Sequence, residues 1–376
     1  MRSCFITLGF AILGLLGIGL MEIASASAPE CIKDGVSTLY YVKKQSIAMG
    51  LGLIAAGFLA FFDYHNWRDW RALSWVAYGA IVILLIAVLF TDGSHGSKRW
   101  VELGRFQFQP SEVAKFLGVI LVAVAIDKIG WKLKLFWKGL FPILAGIGLV
   151  AALIIKEPDY GAGVIFLGLT GLMLWIGGAK VRHLLVIGLI AVAAIAILVG
   201  SDDNRVRRIN ESLQKDSYGY QVNNSIVAIR EGGYTGRGHG NSLQKWQYLP
   251  EAHTDYIFAI GAEEGGMVFT IIVATLYALL LGVGMRIAYH ADRLGKMIAY
   301  GMTFLLTAQA VANMAVVSGW GFSKGLAMPF LSYGGSNVIV ACMAVGMIFS
   351  VGLRIELPRG KIKGKIKKPI LFKGGR

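Results

Sequence analysis

Carboxylates, lysines and hydroxyls are costly beside apolar runs, so where they occur there they point to function. Four short segments of this chain concentrate them. The first is GSKRW, with Lys98, Arg99 and Trp100, followed by QPSEVAK from Gln109 to Lys115. Pro110 suits the first turn of a helix. Glu112 and Lys115 lie three apart on one helix face, either lining a polar cavity or snorkelling to stabilise the helix end. The second is EPDYG, where Glu157 and Asp159 sit in a short turn and Asp159 can simply bond the local backbone. The third, PEAHTD, carries His253, Thr254 and Asp255, with Glu263 and Glu264 two turns further on. Asp255 is either a helix cap or, at a membrane surface, a general base. The fourth runs from Gly325 to Ser336 and includes Ser332, Gly334 and Gly335. It is apolar yet broken by Pro and Gly, and such backbone survives at membrane depth only when buried in protein or lining a cavity.

The elements that must hold these groups are membrane spans. Of 376 residues, 56% are apolar or aromatic and 16% charged, with mean hydropathy +0.62. An ordinary soluble domain has about 45–50% and about 25%, and disorder needs the opposite balance. Apolar runs at 4–25, 45–62, 72–90, 111–127, 139–155, 161–178, 183–200, 257–285, 297–318 and 338–353 predict ten helices. The expected fold is an all-α polytopic membrane protein: one transmembrane domain over 1–353, an extracytoplasmic loop 201–256 between the seventh and eighth helices, and a basic tail 354–376.

Orientation follows from the lysines and arginines. With the N-terminus inside, 21 lie on the cytoplasmic side and 15 outside, seven of the latter in the long loop that the rule discounts. Both termini are therefore expected in the cytoplasm, and all four polar segments outside. The net charge of +15 owes much to nine Lys and Arg from Arg354 onward, a tail that suits anionic lipid rather than nucleic acid. Cys4, Cys31 and Cys342 are too few and too scattered for a disulfide framework or metal cluster.

The first span ends in ASASA, like a secretory cleavage site, but its apolar stretch is longer than a usual signal core, which favours a retained helix. In the long loop, Val222, Ile226, Val227 and Ile229 suit a helix lying on the membrane surface. The glycine-rich turn 232–240 lacks the Gly-Lys-Ser/Thr ending of a phosphate loop and follows no strand, so it is read as backbone approaching a ligand or another loop.

Taken in order, GSKRW, QPSEVAK, EPDYGAG, NSLQKWQYLPEAHTDYIFAIGAEEGG and GLAMPFLSYGGS resemble the SEDS family (shape, elongation, division and sporulation) of ten-helix bacterial membrane proteins. NSLQK, SKGLAMPFLSYGGS and the basic tail resemble its division branch more than its elongation branch. The resemblance implies a peptidoglycan glycosyltransferase of the bacterial inner membrane, at the division septum. It would polymerise lipid II into a growing glycan strand beside a class B penicillin-binding transpeptidase and other divisome proteins. By the same resemblance Asp255 is the catalytic carboxylate, and Glu112, Lys115 and Asp159 are polar groups of the central cavity. Lys98, Arg99, Trp100, Lys245, His253, Thr254, Ser332, Gly334 and Gly335 belong to the matching motifs and are expected to bind substrate or line that cavity. Glu157, Ala162, Arg230-Glu231 and Asn337 depart from the family pattern.

The chemistry requires deprotonating an acceptor hydroxyl and neutralising a departing diphosphate. Asp255 would take the proton, while Arg99, Lys115 or a divalent cation (Mg or Mn) offsets the charge. Attack in line with the leaving group inverts the anomeric centre. An elongation polymerase, a lipid II flippase and a non-catalytic scaffold for a transpeptidase remain the alternative readings.

Overall fold

The structure, a computed structural model, describes residues 1–90, 99–103, 106–157, 159–200, 220–246, 248–250, 252–320 and 326–356. Lys98, the stretch 201–219 of the long loop and the tail 357–376 lie outside them.

The protein is an all-α polytopic membrane protein. In chain order come α1 (Arg2–Ala26), the short α2 (Ala28–Lys33), α3 (Tyr40–Phe61), the short α4 (Asn66–Asp69) and α5 (Arg71–Leu89). A small antiparallel hairpin follows, β1 (Val101–Leu103) and β2 (Phe106–Phe108), with Val101 opposite Phe108. Then come α6 (Pro110–Ile129), α7 (Phe141–Lys156), α8 (Tyr160–Ile176), α9 (Val181–Gly200), α10 (Tyr220–Gly232), α11 (Ile257–His290), α12 (Arg293–Val317) and α13 (Gly335–Glu356). Each of the ten apolar runs coincides with one long helix. Seven of these are long and apolar enough to cross a membrane by length and composition. Of the others, α6 carries Glu112, Lys115, Asp127 and Lys128, while Tyr160–Ile176 and Val181–Ala193 are shorter apolar helical stretches. The hairpin in the 91–109 connection has no counterpart in the sequence reading.

The helices enclose one core in which Leu8, Leu15, Ile120, Phe166, Met302 and Ile348 are buried, while Phe10, Ile54, Phe58, Ile83 and Leu189 face outward, as lipid-facing positions must. At the end of the bundle that holds the basic turns, polar side chains finish the helices. Arg354 Nη1 donates to Ala60 O at 2.8 Å and Ser350 Oγ to Phe62 O at 2.6 Å, satisfying carbonyls at the end of α3. Asp292 caps α12 through Gly295 N (2.9 Å), accepts from Tyr64 Oη (2.7 Å) and faces His65 Nε2 (3.2 Å). Burial alone would raise this carboxyl, but His65, Tyr64 and the Gly295 amide outweigh it and hold it at about 2.

At the opposite end, α11 breaks at Gly266 (φ 63°, ψ −152°). In an unbroken helix the Met267 amide would donate to Glu263 O; it donates instead to Gly233 O at 2.9 Å. The Glu263 and Glu264 carbonyls accept from Arg237 N (3.0 Å) and Gly238 N (2.9 Å). The glycine-rich turn thus plugs a gap in a helix. Only glycine permits it, since a Cβ on Gly236 (φ +78°) would lie 2.1 Å from Glu264 O. The helix expected on the membrane surface is α10, which docks on the bundle: Val222 and Ala228 are buried and Ser225 Oγ donates to Val317 O at 2.8 Å.

Candidate active site

The broken segment 326–334 is the hub on which the polar motifs converge. It is held open by its own side chains: Met328 N donates to Ser332 Oγ at 2.7 Å, and the Ser332 amide returns a bond to Met328 O at 3.0 Å. Phe330 adopts a left-handed backbone (φ 69°), and Tyr277 Oη donates to Pro329 O. From α3, Gln45 grips both sides of the turn, donating from Nε2 to Ser332 O (3.2 Å) and accepting at Oε1 from Gly334 N (3.1 Å). From α1, Gly19 lets the segment pass, because any Cβ there would meet Phe330 O at 2.2 Å.

This hub positions the Asp255 turn. The Tyr333 amide donates to His253 O at 2.9 Å, and the His253 ring packs between Tyr41 (4.7 Å) and Tyr333 (5.4 Å) with Nδ1 3.1 Å from Glu30 Oε2. Asn313 on α12 donates from Nδ2 to both Asp255 O (2.8 Å) and Leu326 O (2.6 Å), clamping the turn to the hub. The N-cap of α11 is Tyr256, with no side-chain cap bond, so Asp255 is not the helix cap. Asp255 and Thr254 are half-buried, and His253 is buried.

The same hub reaches α6 and α8. Gln109 N donates to Ser336 Oγ at 3.0 Å, while its Nε2 donates to Asp159 Oδ2 at 3.0 Å. Asp159 also accepts from Ser111 Oγ (3.1 Å) and caps α8 through Ala162 N (3.2 Å), so the local-backbone role weighed from the sequence is met. Glu112 and Lys115 form a buried pair, Nζ to Oε1 at 2.8 Å, with Lys115 only 1% exposed. Lys115 is thus inside the bundle with one of its three ammonium donors on Glu112. Arg99 is half-buried and donates from Nε to Glu157 O at 3.2 Å. The Glu157 side chain is fully buried with neither oxygen hydrogen-bonded among the described residues, and burial, reinforced by Asp159 and opposed by Arg99, lifts it to about 8. Trp100, next to Arg99, is also half-buried.

Lys245 belongs elsewhere. It is buried and donates to Ser25 Oγ (2.7 Å), Gly240 O (2.7 Å) and Glu264 Oε1 (2.8 Å), so it braces the plugged break in α11 against α1. The expectation that Lys245 lines the Asp255 cavity gives way to this bracing role, because all three ammonium donors are used. Sequence reasoning missed Gln45, Asn313 and Glu22, all polar groups on apolar helices. Their cost in such a setting was the signal that could have found them. The grouping of three metal-capable side chains found among the described residues is Glu22, His239 and Glu264, away from Asp255. A Mg or Mn ion at Asp255 would take that carboxylate as a protein ligand and offset charge on a leaving diphosphate.

A family model described as "Cell cycle protein", FTSW_RODA_SPOVE, matches residues 6–355. A probable peptidoglycan glycosyltransferase FtsW from Geobacter sp. strain M18 is 35% identical over 90% of this chain and 94% of its own. Among solved structures, a chain from work on how a peptidoglycan synthase complex coordinates polymerization and crosslinking superposes with a TM-score of 0.76. It is 29% identical and covers 93% of this chain and 97% of that one. The rod shape determining protein RodA of Thermus thermophilus gives a TM-score of 0.67 at 27% identity, covering 92% and 96%.

Proposed function

The chain belongs to the FtsW, RodA and SpoVE family of cell cycle proteins, and with that as premise we propose that this peptidoglycan glycosyltransferase polymerises lipid II into glycan strands during division, with Asp255 as general base. The observation that carries the assignment is the clamp on the Asp255 turn. Asn313 holds the Asp255 carbonyl and Tyr333 the His253 carbonyl, so a half-buried carboxylate is fixed on a rigid turn beside three converging motifs. Preorganisation of this kind is what a proton-transfer group needs.

The acceptor sugar's hydroxyl attacks the donor's anomeric carbon, its proton passes to the Asp255 carboxylate, and the anomeric carbon–oxygen bond to the diphosphate breaks. An α-linked donor then gives a β-linked product with no covalent glycosyl-enzyme. With Lys115 buried against Glu112 and Arg99 half-buried, Arg99 is the more accessible cation and is assigned to the leaving diphosphate. Both termini are cytoplasmic, the Asp255 end faces outward, and the protein sits in the inner membrane at the septum beside a class B penicillin-binding transpeptidase.

Polymerisation of labelled lipid II by purified protein with its transpeptidase tests the assignment. Asp255→Asn should lower the rate by about 10²–10⁴-fold, the range for loss of general-base catalysis, with melting temperature unchanged. Wild-type polymer yield from the variant would refute it. In cells the variant should leave lipid II accumulating on the outer face, whereas a block to its appearance there would favour the flippase reading.

A further inference from the structure

Between the outer part of α1 and the break in α11 lies a cluster with three carboxylates, Glu22, Glu263 and Glu264, all at most 2% exposed. Two already have hydrogen-bond partners. Glu263 accepts from Ser242 Oγ, Leu243 N and Gln244 N. Glu264 Oε1 accepts from Ser25 and Lys245, and Oε2 from Gly240 N at 2.8 Å. Glu22 differs: it is 2% exposed, yet its Oε2 has no hydrogen-bond partner among the described residues. A buried carboxylate left in that state is expensive unless a proton or a cation satisfies it.

A cation has a place to sit. Glu22, His239 and Glu264 each bring a ligand atom within 4.8 Å of the other two, and the three line one cavity of about 230 Å³ together with Ile18, Met21 and Phe269. His239 Nδ1 is already 3.1 Å from Glu264 Oε2, and its side chain is 47% exposed, which gives access from solvent. We propose that Glu22, His239 and Glu264 bind a divalent transition-metal ion of the zinc class. One imidazole and two carboxylates make a three-ligand zinc set with the fourth position left to water. Calcium and magnesium call for six or more oxygens in their shells, so an imidazole site with three protein ligands disfavours them. Bonds of about 2.0–2.2 Å place tetrahedral ligands roughly 3.4 Å apart, so binding requires the Glu22 and His239 side chains to draw in from spacings of up to 4.8 Å.

The ion would join three elements that the sequence keeps far apart: α1 through Glu22, the glycine-rich plug through His239 and α11 through Glu264. The plug leads through Lys245 into the Asp255 turn, so the site acts as a staple on the segment that delivers Asp255.

Full-length protein stripped with a chelator and titrated with Zn²⁺ alone should retain one equivalent after desalting, and Co²⁺ in its place should show visible d–d absorption. Glu22→Gln and His239→Asn should each weaken binding at least 10-fold, and the pair should abolish retention. Zinc should also slow amide exchange over residues 236–242 in the wild type and not in the double variant. Because His239 is half-exposed, His239→Asn removes a ligand without opening the core and keeps the test decisive if Glu22→Gln folds poorly. No retained metal in the wild type, or equal retention by the double variant, would overturn the proposal and leave Glu22 as a protonated acid.

Discussion

Glu112 and Lys115 form an ion pair whose two halves should not be equally dispensable. With Lys115 1% and Glu112 7% exposed and Nζ 2.8 Å from Oε1, removing either partner strands a buried charge, at a cost of about 3–5 kcal/mol. The two stranded charges meet different surroundings. Pro110 opens α6, so Glu112 stands in its first turn, where the positive end of the helix favours an anion and opposes a cation by about 0.3–1 kcal/mol, up to ~2 when partly buried. A lone Glu112 left by Lys115→Met is therefore cushioned, while a lone Lys115 left by Glu112→Leu is penalised twice. The difference between the two variants should be about 1–2 kcal/mol, the sum of the two opposite helix-end effects.

Thermal unfolding in detergent or nanodiscs reads this directly, at roughly 2–4 °C per kcal/mol for 150–250 residues and somewhat less for a longer chain. Glu112→Leu should melt about 1–3 °C below Lys115→Met, both should fall below wild type, and the combined variant should recover most of the loss because apolar replacement of a buried pair is often neutral. A combined variant that is stable yet inactive in polymerisation would assign the pair to substrate rather than to packing. A Lys115→Met protein as unstable as Glu112→Leu, or a combined variant worse than either, would refute the reasoning.

The Glu157 carboxyl, lifted to about 8 by burial and Asp159 against Arg99, binds its proton more tightly folded than unfolded. Its contribution to stability is full below the ordinary value of 4.5 and is lost as pH rises through about 8. The melting temperature should decline over that window, and Glu157→Gln should flatten the decline; an unchanged slope would count against it. At the plugged break, Gly236→Ala places a Cβ 2.1 Å from a backbone oxygen at φ +78°. The left-handed backbone alone costs about 1–2 kcal/mol, and the clash adds to it. Circular dichroism melts should show a loss of several degrees, with faster amide exchange over residues 233–240; wild-type values would mean the plug is not seated as described.

Apolar runs locate spans because a membrane admits so few solutions, which is why ten runs became ten long helices. They say nothing about which groups meet across the chain. Ser25 and Lys245 are bonded at 2.7 Å although 220 positions apart. Read along the sequence, Ser25 is one letter of a small-residue stretch resembling a cleavage site, and Lys245 one letter of a motif. Asp255 was legible through the order of its neighbours, and its clamp was not, since Asn313 and Gln45 are single amides inside apolar helices. Glu22 was within reach: an acid in the last third of an apolar span carries a functional presumption from its cost alone. The hairpin was not, because two three-residue strands leave too short an alternation to separate from loop.

The clamp and the plug together explain why the irregular segments need so many partners. A broken helix or a non-helical turn at membrane depth frees backbone groups that lipid cannot satisfy. In segment 326–334 these go to Gln45, Asn313 and Ser332, and at Gly266 they go to the glycine-rich turn. Each such bond also fixes a position. The Asn313 amide that satisfies Leu326 O holds Asp255 O with its other hydrogen, so the requirement to bury backbone and the requirement to orient a carboxylate are met by one side chain. With Asp255 as the proposed base, function and fold are coupled at Asn313. A change there should lower activity and stability together, whereas a change at the Asp255 carboxylate should lower activity alone.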